Sequence, residues 1–428
     1  MKHVTCLPEV QLGKIRPQHS ICNWPRPLSV YDGGPDTEEF LRVKGIFESI
    51  DSPMTRLKYF YVSGYGKHID VPFIFHDFRK DASDPANYFF HLTDQTILDF
   101  VNAGKPIIYR LGAVRENWSV LYTRKPDDYD KFAQVCLNIV RHLNDGWADG
   151  LHCGIEYWEI WNRADDPHCW TGTAEDYYRL YEVTACKIKE AYPHLKVGGP
   201  AAADCQNMRF LRGFVQYVKE HNVPCDFISW NYFGVDAAEA GRQAVAIRQL
   251  VKDAGLQVEI FNDEWNAISV GENGIIECPD ARTMKGAAFG AAFMMQMQNA
   301  GIDGSTYYDG TCGTPWGALY ASSPYRTHKP IFSLLAFSRL YRLGNQIGVK
   351  TVGKNLYAAA AENEGRFALM IALCQDRSDK LHLTMPFPGK KLISLLDEKN
   401  DLEQILETED TELTLSLKGH SVVLVESI

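Results

Sequence analysis

Strands that alternate with helices over most of the chain, followed by a run of short strands, predict an α/β fold: a (β/α)8 barrel with a small C-terminal antiparallel β-sandwich. About eight strand–helix units are expected, which suits a closed barrel better than an open sheet. A doubly wound sheet would be expected to carry a phosphate-binding loop, and the sequence contains neither GxGxxG nor GxxxxGK[ST].

The predicted barrel strands are short apolar runs bounded by turn residues. They lie near residue 20 and at 56–62, 105–112, 155–162, 195–200, 226–231, 258–264 and 305–308. The intervening helices are predicted from apolar residues at helical spacing, as in the segment that follows Asp130. Thr173 and Asp176 have the spacing of a capping box and predict the start of another helix.

The pattern changes after about residue 350. Leu413, Leu415 and Leu417 alternate with polar residues at the period of a strand, and 366–374 and 421–425 are also predicted strands. The predicted domains are therefore an N-terminal segment at 1–20 that joins the sandwich, the barrel at 21–345 with the active-site pocket, and the sandwich at 346–428.

Composition excludes several function classes. The net charge of -10 disfavours nonspecific binding to nucleic acid, and no apolar stretch is long enough to cross a membrane. The 11 cysteines have no CxxC spacing, which fits reduced thiols better than disulfides or a zinc site. No metal or other cofactor is expected, and the absence of a secretory signal predicts a cytoplasmic location.

The residues that end the predicted strands are the candidates for a site, because barrel enzymes place their active sites at the C-terminal ends of the strands. They are rich in aromatic rings and amides, which stack on sugar faces and bind hydroxyl groups; the alternative is that the rings pack in the core. The substrate-binding candidates are Arg56, Lys58, Trp161, Asn162, Arg163, Trp230, Asn231, Tyr232, Asn266, Tyr308 and Trp316.

Two strand ends resemble a known family. Residues 158–162 read WEIWN and are similar to the fourth strand of clan A glycoside hydrolases, most like family 39, the β-xylosidase and α-L-iduronidase group. Residues 263–266 read DEWN and resemble the seventh strand, which carries the nucleophile in that family. The resemblance covers nearly the whole chain, and it implies a retaining glycosidase with Glu264 as the nucleophile.

The second carboxylate of such a mechanism is missing. In the family the asparagine that corresponds to Asn162 precedes the acid/base glutamate, whereas here Arg163 follows. Arginine cannot lose a proton at useful pH. Asp165 and Asp166, on the loop after the strand, are candidate replacements; the alternative is that they are solvated loop charges. Glu159 shares the inward face, but it should lie about 13 Å deeper at roughly 3.3 Å per residue.

Several cations are expected near the same pocket. Lys58 and Arg163, with Arg56, Arg110 and Arg115, would suit a carboxylate, sulfate or phosphate group on the substrate. Pairing of these cations with local acids fits the sequence equally well.

The function predicted from these observations is a retaining-type glycoside hydrolase that acts on small O-glycosides. Its expected partner is a small-molecule glycoside or oligosaccharide, with no nucleic acid and no membrane; a homo-oligomer is left open. One alternative is a glycan-binding pseudoenzyme that keeps the pocket and has lost turnover. The other is sugar transfer to phosphate or elimination, with Arg163 holding an anion.

Overall fold

The computed structural model describes residues 1–23, 38–57, 68–102, 104–113, 123–203, 205, 208–270, 276–277, 280–310, 317–322 and 325–428. Within these ranges the chain forms a (β/α)8 barrel and a β-sandwich, which confirms the predicted fold class. The candidates Lys58 and Trp316 lie outside the described residues, as does Arg115.

The chain begins with a long strand, β1 (Lys2–Lys14), that belongs to the sandwich. The eight strands of the barrel then pair in parallel. They are β2 (Ser20–Ile21), β3 (Thr55–Leu57), β4 (Ile107–Leu111), β5 (Tyr157–Ile160), β6 (Lys196–Ala202), β7 (Phe227–Phe233), β8 (Glu259–Asn266) and β11 (Gly304–Tyr307). The barrel closes between β2 and β3, where the backbone N–H of Asn23 donates to the carbonyl of Arg56 at 3.0 Å.

The helices of the described residues lie mostly between these strands. They are α1 (Glu38–Ile50), α2 (Val71–Ile74), α3 (His91–Asn102), α4 (Tyr129–Asp145), α5 (Ala174–Ala191), α6 (Arg209–His221), α7 (Ala237–Ala254), α8 (Met284–Ala300) and α9 (Pro330–Leu343), with a 3-10 turn at Pro85–Asn87. The predicted capping box is confirmed at the start of α5, where Thr173 and Asp176 each bond the backbone of the other. Two short ribbons complete the barrel region: β9 (Ser269–Val270) with β10 (Ile276–Glu277), and β12 (Tyr320–Ser322) with β13 (Tyr325–Thr327).

The sandwich is one nine-stranded sheet that includes β1. Its other strands are β14 (Asn345–Val352), β15 (Leu356–Asn363), β16 (Arg366–Leu373), β17 (Asp379–Thr384), β18 (Lys391–Leu396), β19 (Asp401–Thr408), β20 (Glu412–Leu417) and β21 (Ser421–Ser427). All neighbours pair antiparallel except β1 and β17, which are parallel.

Alternation along β15 divides the sandwich side chains between two cores. Ala359 and Ala361 belong to the large core that the barrel and its helices share, whereas Ala358 and Ala360 belong to the separate core of the sandwich. Successive residues of a strand point to opposite faces, and alanine allows the sheet to lie close to α8 and α9. The sandwich is therefore packed directly against the barrel.

Two findings bear on the sequence-based expectations. The nine cysteines among the described residues are all unpaired. No helix in the described part of the chain is both long enough and apolar enough to cross a membrane.

Candidate active site

Strand β8 contains a β-bulge at Asp263, next to the candidate nucleophile Glu264. Trp230 and its successor on β7 pair with Asn262 and Glu264 of β8, so the register skips Asp263. The pairing of β8 with β11 shows the same irregularity. A bulge places two residues of one strand opposite one of its neighbour and redirects their side chains. Asp263 and Glu264 are consecutive, yet both reach Arg56 for this reason.

Arg56, on β3, is completely buried and joins the two strands predicted to carry the chemistry. Its Nε donates to Oε2 of Glu159 on β5 at 2.7 Å, and its Nη2 contacts the same oxygen. Its Nη1 donates to Oε1 of Glu264, and Nη2 lies 3.0 Å from Oδ2 of Asp263. One guanidinium group thus holds three buried carboxyl groups, which we call the Arg56 cluster.

The Arg56 cluster contains more acid than one cation can balance. Burial raises the pKa of Asp263 well above its usual range; Arg56 opposes this effect, while Glu159 and Glu264 add to it. A buried charge is costly unless it is paired, so a carboxyl group in surplus keeps its proton. The cluster therefore favours a neutral Asp263, while the adjacent guanidinium favours the ionised form of Glu264.

Two buried amides border the Arg56 cluster. Oδ1 of Asn162 accepts from Nη2 of Arg56 at 3.0 Å, and its Nδ2 has no hydrogen-bond partner among the described residues. Nδ2 of Asn231 donates to Oδ1 of Asp263 at 2.9 Å, and its Oδ1 likewise has no partner in the described part of the chain. Buried polar atoms are normally paired, so both atoms are suited to bind hydroxyl groups of a ligand.

Asn266 and Tyr308 lie together at the ends of β8 and β11. Nδ2 of Asn266 donates to the backbone carbonyl of Tyr308. The ring of Tyr308 meets Phe233, at the end of β7, edge to face at 6.0 Å. The structure thus brings these two candidates together, with Asn266 fixing the backbone beside the ring.

Arg163 follows β5 and is folded back by a left-handed backbone, with φ of 53°. Its Nη2 lies 3.1 Å from Oδ2 of Asp166, and its guanidinium carbon lies 5.7 Å from the centre of the Phe233 ring. The side chain is 22% exposed, and its Nε is buried without a hydrogen-bond partner among the described residues. Burial acts to lower the pKa of Arg163, but Cys169, Asp166 and Glu264 outweigh it and keep that pKa above its usual value.

Asp165 and Asp166 are both engaged by protein groups, Asp165 by the chain that follows β6 and Asp166 by its own loop. The carboxylate of Asp165 accepts from the backbone N–H of Ala203 at 2.8 and 3.0 Å. Oδ1 of Asp166 accepts from the backbone N–H of His168 at 2.9 Å, while its Oδ2 pairs with Arg163. These contacts give each aspartate a structural role, and an acid role for either stays a prediction.

The sequence predicts substrate binding for Trp161, Trp230 and Tyr232, but the structure places all three in the core. Trp161 meets the ring of Trp170 edge to face at 4.9 Å, and its Nε1 donates to a backbone carbonyl at 2.9 Å.

Trp230 lies between Ser229 and Asn231, which contact the Arg56 cluster, so its ring faces the helices instead. Tyr232 packs beside Phe293 of α8 at 5.7 Å and also lines a cavity at the ends of β6 and β7. The two tryptophan rings that were expected to stack on sugar therefore join the sheet to its helices, whereas substrate binding by Tyr232 stays a prediction.

The expected cation cluster is largely neutralised by acids. Nη2 of Arg110 pairs with Asp70 in a buried ion pair, Arg163 pairs with Asp166, and Arg56 contacts three carboxyl groups. Pairing with local acids is thus observed for all three described arginines. Among the described residues, no group of three or more His, Cys, Asp and Glu side chains is arranged to hold a metal ion.

A cavity of about 270 Å³ opens at the ends of β6 and β7. Asn231, Tyr232 and Phe233 line it together with Gln243 of α7, and none of the four side chains of the Arg56 cluster is in its lining; Asn231 reaches that cluster through its bond to Asp263. Asn231 therefore connects the buried acids to an open space on the carboxyl side of the barrel, where barrel enzymes bind their substrates.

Sequence reasoning missed Glu159, Asp263 and Phe233. Glu159 is expected to be too deep, yet Arg56 spans the distance and also contacts Glu264. Strict alternation along β8 would turn Asp263 away from the face of its neighbour Glu264, and the bulge redirects it. Three acids and an arginine on inward-facing strand positions were the available signal for a buried charge cluster.

A closed barrel that gathers buried carboxyl groups near the C-terminal ends of its strands is of the class of the glycoside hydrolases, whose chemistry uses a pair of Asp or Glu residues. Within that class the chain belongs to glycosyl hydrolases family 39, whose profile matches residues 76–300.

Individual relatives agree with this assignment. A beta-xylosidase of Geobacillus stearothermophilus is 26% identical over 184 residues, which cover 40% of this chain and 35% of that protein. A beta-xylosidase of Caldicellulosiruptor saccharolyticus is 27% identical over 158 residues, 33% of this chain and 31% of that protein. The matched stretches thus span about a third of these curated relatives.

Solved structures share the fold over the full length. A glucosidase from Croceicoccus marinus has a TM-score of 0.77 at 20% identity and covers 100% of this chain and 98% of its own. A GH39 beta-xylosidase from Caulobacter crescentus has a TM-score of 0.69 at 14% identity, with 99% of each chain covered. At these identities the likeness concerns the fold.

Proposed function

We propose that the protein is a retaining-type glycoside hydrolase that acts on small O-glycosides, with Glu264 as the nucleophile. The observation that carries the proposal is the setting of Glu264: completely buried, near the C-terminal end of β8 and bonded to Nη1 of Arg56. A fixed cation favours the ionised carboxylate, which is the form that attacks an anomeric carbon.

The amides give the proposed site a way to hold the sugar. Asn162 is anchored through Oδ1 on Arg56, which leaves Nδ2 to donate to a sugar hydroxyl beside Glu264. Asn231 is anchored through Nδ2 on Asp263, which leaves Oδ1 to accept from another hydroxyl. Hydrogen bonds to hydroxyl groups near the reacting carbon strengthen in the transition state of glycoside hydrolysis.

Departure of the leaving group is the difficult step in this site. A general acid contributes about 10²–10⁴-fold, equivalent to roughly 3–5 kcal/mol of barrier. Arg163 occupies the position where the family resemblance places that acid, and a guanidinium cannot donate its proton at useful pH. The proposal therefore concerns glycosides whose leaving group departs without protonation, unless Asp165 or Asp166 moves out of its present contacts.

Covalent trapping tests the proposed nucleophile. The protein would be incubated with 2,4-dinitrophenyl 2-deoxy-2-fluoro derivatives of xylose, glucose and glucuronic acid, and peptides would be mapped by mass spectrometry. We expect a burst of dinitrophenol and a glycosyl label on the peptide that contains Glu264. Label on another carboxylate, or turnover of the parent aryl glycosides with inversion at the anomeric carbon, would reject the assignment.

A glycan-binding pseudoenzyme is the second candidate, and the pairing of Arg163 with Asp166 favours it. That ion pair occupies the position where the resemblance places the missing acid. This function predicts sugar binding by calorimetry, with no burst and no label from any of the three trapping reagents.

A further inference from the structure

Arg163 is a cation at the position where the family resemblance places the general acid. It follows Asn162, which bonds Arg56, and Glu264 is among the acids that sustain its charge. Its guanidinium carbon lies over the ring of Phe233, 5.7 Å from the ring centre. Asp166 takes Nη2, whereas Nε has no partner among the described residues. The guanidinium is thus oriented by two neighbours and keeps donor capacity.

A cation at this position changes which leaving groups can depart. It cannot protonate an alkoxide, but it can stabilise a leaving group that is already an anion. Arginine offers several N–H donors in a planar fork that matches the oxygens of a phosphate. The same replacement that disables hydrolysis of alkyl glycosides therefore fits an anionic leaving group.

We propose that the natural substrate is a glycosyl phosphate and that Arg163 binds its phosphate group. This inference rests on the proposed function, because it assigns the leaving group in a reaction that begins at Glu264. It also distinguishes phosphate from sulfate and from a carboxylate, since hydrogen phosphate is the most basic of these leaving groups and can accept the proton of the attacking water.

The reaction balances without an acid from the protein. The carboxylate of Glu264 attacks the anomeric carbon of the glycosyl phosphate monoanion, and the bond from that carbon to the phosphate oxygen breaks. The electron pair leaves with the oxygen, so hydrogen phosphate dianion is released beside Arg163. Water then attacks the glycosyl ester and gives its proton to that dianion, which yields the free sugar, dihydrogen phosphate and the original carboxylate.

The reverse of the first step supplies a direct test. The protein would turn over a 2,4-dinitrophenyl glycoside with and without inorganic phosphate, with sulfate at equal ionic strength as the control. We expect phosphate to raise release by about tenfold or more, because it competes with water for the glycosyl-enzyme, and ³¹P NMR to show a sugar 1-phosphate. Sulfate should do neither.

Variants locate the effect at Arg163. Arg163→Gln should abolish the phosphate acceleration and Arg163→Lys should retain part of it, because lysine keeps the charge without the fork. Arg179→Met, which removes an exposed arginine from α5, is the matched control and should respond to phosphate as the wild type does. Thermal unfolding of each variant checks that it is folded.

A direct assay with sugar 1-phosphates of both anomers separates the two proposals. Release of phosphate that falls above about pH 6, where the monoester loses its second proton, supports the inference. Aryl glycoside turnover that ignores phosphate, with no sugar 1-phosphate consumed or formed, overturns the inference and leaves the glycosidase proposal standing. Absence of turnover in both assays overturns both.

Discussion

The ends of β5 and β8 carry the two motifs that resemble the family, and their settings differ sharply. Glu264 of β8 is completely buried and bonded to Arg56. Arg163, after β5, is 22% exposed and pairs with one loop aspartate among the described residues. Glu264, which matches the family, is held in a network of buried charges. Arg163, which differs from the family, lies where the side chain is partly exposed.

The difference has a physical basis. Removing one partner of a buried charge cluster leaves other charges uncompensated and costs about 3–5 kcal/mol. Exchanging a side chain with one partly exposed ion pair costs about 1 kcal/mol or less. The nucleophile end of the site is therefore constrained by stability as well as by chemistry, whereas the acid end can change with little effect on folding.

The largest expected effect tests the β8 side of the comparison. Glu264→Gln keeps the shape but removes the nucleophile, so release from activated aryl glycosides should fall on the order of 10⁴-fold or more, since loss of an enzymic nucleophile costs up to about 10⁶-fold. Glu259→Gln, at the other end of β8, is the matched control and should retain the rate. Equal rates for wild type and Glu264→Gln would show that Glu264 is not the nucleophile.

A gain of activity tests the β5 side. Arg163→Glu restores a carboxylic acid where the family resemblance places one, and it should raise hydrolysis of alkyl glycosides by about 10²–10⁴-fold. The effect should be small for dinitrophenyl glycosides, which need no protonation. The readout is the ratio of the two rates, measured across a series of leaving groups. An unchanged ratio would show that the lack of an acid at position 163 does not limit hydrolysis.

Stability measurements sharpen the contrast between the two arginines. Arg56→Met leaves three buried carboxyl groups without their cation and should lower the free energy of unfolding by about 3–5 kcal/mol. Arg163→Met breaks one partly exposed pair and should cost about 1 kcal/mol or less. Urea unfolding of both variants measures the two losses of stability. Similar losses would contradict the distinction between the buried Arg56 and the partly exposed Arg163.

The fold was predictable because its signals are local. Short apolar runs bounded by turn residues marked the barrel strands, and the capping box marked the start of α5. Several sandwich strands were not predicted, and β15 shows why. Its sequence, LYAAAAEN, is rich in alanine, which favours helix in isolation. It forms a strand because it lies between β14 and β16.

The site was harder to predict because its geometry departs from regular strands. The bulge in β8 turns the side chain of Asp263 towards the interior, whereas alternation alone would place it on the other face of the sheet from Glu264. The chain after Ile160 adopts left-handed backbone at Trp161 and Arg163, so side-chain directions cannot be continued from β5. The network also depends on the reach of Arg56 between strands that are distant in sequence.

The last effect concerns the proton that the buried carboxyl group of Asp263 holds. The carboxyl pKa of Asp263 is raised by burial in the folded protein, whereas an unfolded Asp has a pKa of about 3.9. The native state therefore binds more protons than the unfolded state above that pH, so this group makes stability fall as pH rises towards its folded pKa.

Asp263→Asn should remove that dependence, because the amide can still accept from Asn231 and offers N–H donors where the protonated carboxyl would donate. Relative to wild type, its free energy of unfolding should rise by up to about 1.4 kcal/mol for each pH unit between the unfolded pKa and the raised folded pKa. Urea unfolding at several pH values measures the difference. If the difference in unfolding free energy between the variant and the wild type stays constant with pH, Asp263 is ionised, and all three carboxyl groups of the Arg56 cluster are negatively charged.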